Sequence, residues 1–111
     1  MPPLAAVLAA GSDAVLSHRG AAWSWQLRSA LFLEVTVPTM RSRDGIVIHR
    51  SLLPPDEVTS VHALPVTTVP RTLFDLAAVL PRRKVEDAMK EAEYLRHADR
   101  LQTTEGFIER S

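Results

Sequence analysis

The sequence predicts a mixed α+β fold in which short antiparallel strands pack against three to four helices. Three observations carry that expectation. The apolar residues repeat every second position between Leu31 and Val37, then with the period of a helix, about 3.6 residues, beyond Pro70. Prolines at 38, 65 and 81 punctuate the chain where a regular element must start or stop. A hydrophobic fraction of 46% in 111 residues supplies one core and not two, so residues 1–111 are expected to form a single domain.

The elements follow in order. Pro2 and Pro3 sit where a first helical turn tolerates proline. Leu4, Val7 and Leu8 follow at helical spacing, and Gly11 closes a helix over about 3–10. Ser17 is a natural N-cap for a second helix from His18 to about Leu27, with Ala21, Ala22 and Trp25 on one face and Gly20 as its weak point. Leu31, Leu33, Val35 and Val37 alternate with Phe32, Glu34 and Thr36, the pattern of a half-buried strand that Pro38 ends. The connection through Arg41, Arg43 and Asp44-Gly45 leads to a second strand, Ile46 to His49, and the Asp-Gly pair predicts an antiparallel ribbon. Leu53 to Asp56 is a loop. Val58 to His62 and Val66 to Thr67 are short extended pieces, and Pro65 marks the second as an edge or a strand start.

In the second half, Thr67 or Thr68 caps a helix with Pro70 in its first turn. Leu73, Leu76, Ala77 and Leu80 lie on one side of it, and Pro81 stops it. A further helix over about 82–96 carries Val85, Ala88, Met89, Ala92 and Leu95 as an apolar stripe, with Glu86 and Lys90 as an i, i+4 pair. The two helices are expected to pack antiparallel by these stripes. Residues 99–111, with Thr103 to Phe107, read as the start of a last, truncated helix.

Charge and composition narrow the function. Thirteen basic side chains balance 13 acidic ones, which is unlike the strongly basic face of a non-specific DNA binder. The absence of cysteine removes disulfides, thiolate metal sites and thiol nucleophiles. No apolar run approaches the roughly 20 residues that span a bilayer, and no basic n-region precedes Arg19, so a cytoplasmic protein without membrane contact is expected.

Catalytic sets are missing from the pattern. Ser17 and His18 are adjacent, which on a helix turns their side chains about 100 degrees apart and prevents them from acting on each other. No Gly-x-Ser-x-Gly or glycine-rich phosphate loop occurs. Glu34 lies on a strand, yet Val35-Thr36 follow it rather than the Glu-x-Lys of a metal-dependent nuclease. The histidines, His18, His49, His62 and His97, lack metal-ligand spacing, so neither metal nor cofactor is expected; convergence of His49 and His62 from neighbouring strands is the one tertiary alternative. What remains is arginine placement. Arg41 and Arg43 on the ribbon connection, Arg50 past its return strand, and His18-Arg19 at a helix start form the constellation to test for phosphate or other anion contact. Arg82-Arg83-Lys84 at a helix start is a second basic group.

Two stretches resemble a known family. Val58 to Ala77, containing Pro65-Val66-Thr67-Thr68-Val69-Pro70-Arg71-Thr72-Leu73-Phe74-Asp75-Leu76-Ala77, is similar to a segment of actinobacterial proteins of the AbiEi-like antitoxin group, from type IV (abortive-infection) toxin–antitoxin systems. Leu16-Ser17-His18-Arg19-Gly20-Ala21-Ala22-Trp23, Glu34 to Pro38 and Val47 to Ser51 match the same group in order. The likeness covers about residues 4–98 and is most specific over Pro65, Thr67, Thr68, Pro70, Arg71, Thr72, Leu73 and Asp75. It implies a winged helix-turn-helix that binds operator DNA, a middle domain that counters a nucleotidyltransferase-like toxin, and in many relatives an appended very-short-patch-repair-type endonuclease. Within these 111 residues the reader is reduced to Leu4 to Gly11, the nuclease has no counterpart, and Gln26 stands where relatives commonly have glycine.

The motif also has a purely structural reading: Thr67 and Thr68 cap, Pro70 starts the helix, Leu73 and Leu76 pack it, and Arg71 pairs with Asp75 across one turn. The function expected is a non-catalytic antitoxin-type interaction domain that binds a nucleotidyltransferase-like toxin and contributes to transcriptional autoregulation. The alternatives are a DNA-binding regulator and an inactive remnant of a nuclease-associated protein.

Overall fold

The computed structural model describes residues 3–29 and 31–98. Four helices surround a five-stranded mixed sheet: α1 (Pro3–Ala10), β1 (Val15–Leu16), α2 (His18–Ser24), β2 (Glu34–Val37), β3 (Val47–Arg50), β4 (Val58–Val61), β5 (Leu64–Thr67), α3 (Val69–Leu76) and α4 (Arg82–Ala98), with a 3-10 turn at Pro55–Glu57. The strand order is β3-β2-β1-β5-β4. The fold is α+β, as the change of period predicts. The tail expected to begin a helix at Thr103 lies outside the described residues.

The strands are not all antiparallel. β1 pairs antiparallel with β2, and β4 with β5, but β1 runs parallel to β5 and β2 parallel to β3. The expected antiparallel ribbon is therefore a parallel pair, in register from Glu34 opposite Val47 to Val37 opposite Arg50. The Asp44-Gly45 turn does form, with Gly45 at φ +80, but it closes a local bridge between Arg43 and Ile46. Arg41 and Arg43 meanwhile hold the connection against the end of α1, by hydrogen bonds of 2.9 Å to the Ala10 carbonyl and 2.8 Å to the Ala9 carbonyl. The chain is thus led back to the end of the sheet where β2 began, and β3 starts level with it.

β4 and β5 are joined by a two-residue turn, His62-Ala63, with both residues at positive φ, the geometry that matches strand twist in a tight hairpin. Pro65 falls at the start of β5, one of the two places expected for it.

Helix α2 begins where expected and ends at Ser24. Gln26, at φ +66, then takes the left-handed position while Leu27 N–H reaches the Ala22 carbonyl and Gln26 N–H the Trp23 carbonyl, a Schellman closure. Gly20 is a requirement of the packing: a Cβ there would stand 2.8 Å from the Glu34 carbonyl oxygen and 3.0 Å from that of Phe32. Its absence lets α2 lie directly on β2.

Helix α3 stops at Leu76, earlier than the apolar spacing suggests. Residues 77–80 continue as turns and leave Ala77 exposed. Thr68 caps α3 by accepting from Arg71 N–H, while Thr67 and Thr72 share a hydroxyl hydrogen bond of 2.7 Å. On α4, Ala88 and Ala92 are buried and Val85 and Leu95 half-buried, but Met89 points to solvent. Glu86 pairs with Arg82. The core is centred on Leu16, Val35, Val37, Val66, Trp25 and Leu76, with the Trp25 indole N–H donating to the Thr67 carbonyl at 2.8 Å. Among the described residues, no helix is long and apolar enough to cross a membrane.

Candidate functional site

β2 is buried on both faces, and this is what creates the site. A strand with alternating residues ordinarily gives one face to water. Here Glu34 and Thr36 on the polar face are as covered as Val35 and Val37 on the other, with Glu34 wholly inaccessible. The parallel register sets His49 beside Thr36, so Glu34, Thr36 and His49 share a face. The N-terminus of α2 descends onto that face and brings Ser17, His18 and Arg19 with it.

A buried carboxylate must find partners, and Glu34 finds four. Oε1 accepts from the Arg19 backbone N–H at 3.0 Å and from Arg19 Nε at 2.8 Å. Oε2 accepts from Arg19 Nη2 at 3.1 Å and lies 2.6 Å from His49 Nε2. The Arg19 guanidinium also sits 3.9 Å from the centre of the Phe32 ring. Burial alone would raise the Glu34 pKa, but the Arg19 and His49 hydrogen bonds outweigh it and hold the group below its ordinary value.

His18 lies in the left-handed region, φ +52, and its ring stacks on that of His49 with centroids 3.8 Å apart and planes 12° from parallel. Ser17 Oγ is 2.8 Å from His18 Nδ1 and accepts from Thr36 Oγ1 at 2.7 Å. The argument that neighbouring Ser17 and His18 cannot meet fails because neither residue there follows helical geometry: Ser17 is extended (φ −143, ψ 175) and His18 is left-handed. Ser17 occupies the N-cap position but makes no side-chain cap, its hydroxyl being committed to His18 and Thr36. Being completely buried, it presents no nucleophile to a substrate. Burial, reinforced by the charge of His49 and the nearby arginines Arg71 and Arg19, lowers the His18 pKa from 6.5 to about 4 against the opposing pull of Glu34.

On the far side of His18 stands Asp75, with Oδ2 4.0 Å from Nδ1. Oδ1 is held by Arg71 Nε at 2.9 Å, the pair expected from their i, i+4 spacing, and Arg71 Nη1 reaches Glu57 at 2.9 Å. Among the described residues Oδ2 is buried without a hydrogen-bond partner, and burial raises the Asp75 pKa in spite of Arg71.

The structure does not gather the anticipated anion constellation into one open surface. Arg19 is spent on Glu34, which is itself the anion that meets the start of α2. Arg41 pairs with Asp13 and the end of α1, Arg43 with the Ala9 and Ser42 carbonyls, and Arg50 lies exposed at the end of β3. His18 is buried. The histidine that converges with His49 is His18, not His62, which sits exposed in the β4–β5 turn. The motif residues divide between structure and surface. Thr67, Thr68, Thr72 and Asp75 are buried, Pro65, Arg71 and Leu73 are half-buried, and Pro70 is exposed. Sequence reasoning passed over Glu34 as a functional residue. Its signal was a carboxylate inside an otherwise apolar strand, with an arginine and two histidines elsewhere to answer it.

Chemically the cluster holds one deeply buried carboxylate, two stacked imidazoles, and ligand atoms from His18, Glu34 and His49 within 4.8 Å of one another. No family model matches the chain, and no curated protein or solved structure matches it either.

Proposed function

We propose that this chain is a non-catalytic, cytoplasmic interaction domain of the antitoxin type whose partner is a nucleotidyltransferase-like toxin. One observation carries the reading. Of the segment that bears the resemblance, Pro65 to Ala77, the side chains are buried or half-buried except Pro70, Ala77 and, much the largest, Phe74, which stands 72% exposed. Arg71, braced by Glu57 and Asp75, lies 5.4 Å from the centre of the Phe74 ring, and Glu57, Thr68, Pro70, Arg71 and Phe74 line a shallow hollow of about 280 Å³. An aromatic side chain held outward beside an immobilised arginine is the kind of group that anchors protein interfaces.

The commitment of Arg19, Arg41 and Arg43 to groups within the chain supports a protein partner ahead of DNA. The contribution to transcriptional autoregulation then passes through the toxin complex. The test is to co-express the chain with any candidate toxin-like frame found beside its gene and follow growth and co-elution. Rescue and co-elution that Phe74→Ala weakens by roughly 30-fold or more, with unchanged thermal stability, is the expected result. Absence of both in the unaltered protein, or salt-sensitive binding of duplex DNA by the chain alone, overturns the reading.

A further inference from the structure

We propose that His18, Glu34 and His49 form a binding site for a divalent transition-metal ion of the zinc type, which ties α2, β2 and β3 together. One ligand atom of each residue lies within 4.8 Å of the other two, and the three come from separate elements. Two imidazoles and one carboxylate are a donor set suited to such ions. Ligands about 2.0–2.2 Å from zinc sit roughly 3.4 Å from each other, so closing the cluster on an ion requires the His18 and His49 rings, now 12° from parallel, to rotate out of their stack until both in-plane lone pairs meet it.

The surroundings are those a metal-binding histidine needs. His18 Nδ1 is engaged by Ser17 Oγ, itself fixed by Thr36, which leaves Nε2 to coordinate; Asp75, 95% buried, holds an unpartnered oxygen on the Nδ1 side. Such outer partners orient ligating imidazoles. Arg19 does the same for Glu34, gripping Oε1 twice and turning Oε2 toward His49. The left-handed backbone at His18 is a local cost whose result is the placement of this ring. His49, with 30% of its side chain exposed, provides the path from solvent.

In the metal-free protein His49 Nε2 and Glu34 Oε2 are joined by a hydrogen bond of 2.6 Å. On binding, the Nε2–Oε2 contact opens and both atoms donate electron pairs to the metal with no change in oxidation state; a hydrogen on Nε2 of the neutral ring shifts to Nδ1.

The test uses the full chain, stripped with chelator and titrated with Zn²⁺, and with Co²⁺ for its visible absorption. The expected result is about one ion per chain and a raised melting temperature. Affinity should fall at least tenfold in His49→Ala, compared on protein whose circular dichroism matches the parent, and stay unchanged in His97→Ala, which removes the exposed His97–Glu93 pair on α4. His18→Asn, which keeps a residue suited to positive φ, should show the same loss as His49→Ala. No stoichiometric binding, or equal binding by His49→Ala, overturns the proposal.

Discussion

His18 makes the stability of this domain depend on pH, and the size of the effect can be worked from its surroundings. The imidazole is 93% buried, stacked on His49 and faced by Glu34 from β2, Arg19 from its own helix, and Arg71 and Asp75 from α3. Its pKa falls from 6.5 to about 4, so between those values the unfolded chain holds a proton that the folded chain does not. Unfolding stability then rises with pH. The contribution is complete above 6.5 and is lost as pH falls toward 4. Across the whole window it amounts to about 3 kcal/mol, and a step from pH 7 to pH 5 removes roughly 2 kcal/mol of it.

Two neighbours modify the curve. Asp75, whose pKa is raised chiefly by burial, works in the opposite sense: it costs stability as pH rises through its folded value, and so offsets part of the His18 slope. Glu34, held below its ordinary value, adds a loss only below pH 4.5. Urea unfolding at half-unit pH steps, with chelator present, measures the slope. His18→Asn removes the titrating ring while tolerating positive φ, and it should flatten the slope between pH 5 and 7 even though it lowers stability at pH 7. Equal slopes in the two proteins, or an NMR titration placing the His18 ring near 6.5, would refute the reasoning.

Three further outcomes follow from the packing. Gly20→Ala should lose about 2 kcal/mol or more by chemical denaturation, because the two carbonyl oxygens that crowd the new methyl are backbone and outweigh the roughly 1 kcal/mol that alanine gains in a helix. Arg19→Ala strands the inaccessible Glu34 and should cost about 3 kcal/mol in the same assay, with Arg19→Lys recovering only part, since lysine cannot reproduce the forked contact. Ala63→Gly relieves a positive φ of 66° in the β4–β5 turn and should stabilise by about 1 kcal/mol, read as a rise of several degrees in melting temperature.

The helices were largely legible because their signals are local. Proline at the start, threonine at the cap and apolar spacing are enough to place α3 and α4 to within a few residues at their starts. The sheet was harder. Asp44-Gly45 announces a turn correctly, but whether that turn pairs β2 with β3 depends on Arg41 and Arg43 binding the carbonyls at the end of α1, some thirty residues earlier in the chain. Nothing in the period of the strand records that contact. The site was hidden for a related reason. Alternation marks Glu34 and Thr36 as solvent-facing, and only the arrival of Ser17, His18 and Arg19 over them makes that face an interior. A rule about side-chain angles on a helix then misplaced Ser17 against His18, because Ser17 is extended and His18 left-handed, so neither has the helical geometry that the rule assumes.

The buried ionic residues also bear on how the Pro65 to Ala77 segment should be understood. Asp75 and Arg71 link α3 to the histidine stack, and Thr67, Thr68 and Thr72 close the joint between β5 and α3 through hydroxyls. A substitution at any of these positions disturbs the orientation of α3, and hence Phe74, without touching a partner. Loss of toxin binding in an Asp75→Ala variant would therefore be ambiguous, whereas loss in Phe74→Ala would not, since Phe74 is mostly in solvent and its removal should change stability by no more than about 0.5 kcal/mol. The informative comparison is the pair. If binding falls in Phe74→Ala while urea midpoints match, the segment combines a structural joint with a recognition side chain. If binding survives Phe74→Ala and fails only in the destabilised Asp75→Ala, the segment serves the fold alone and the partner surface must lie elsewhere.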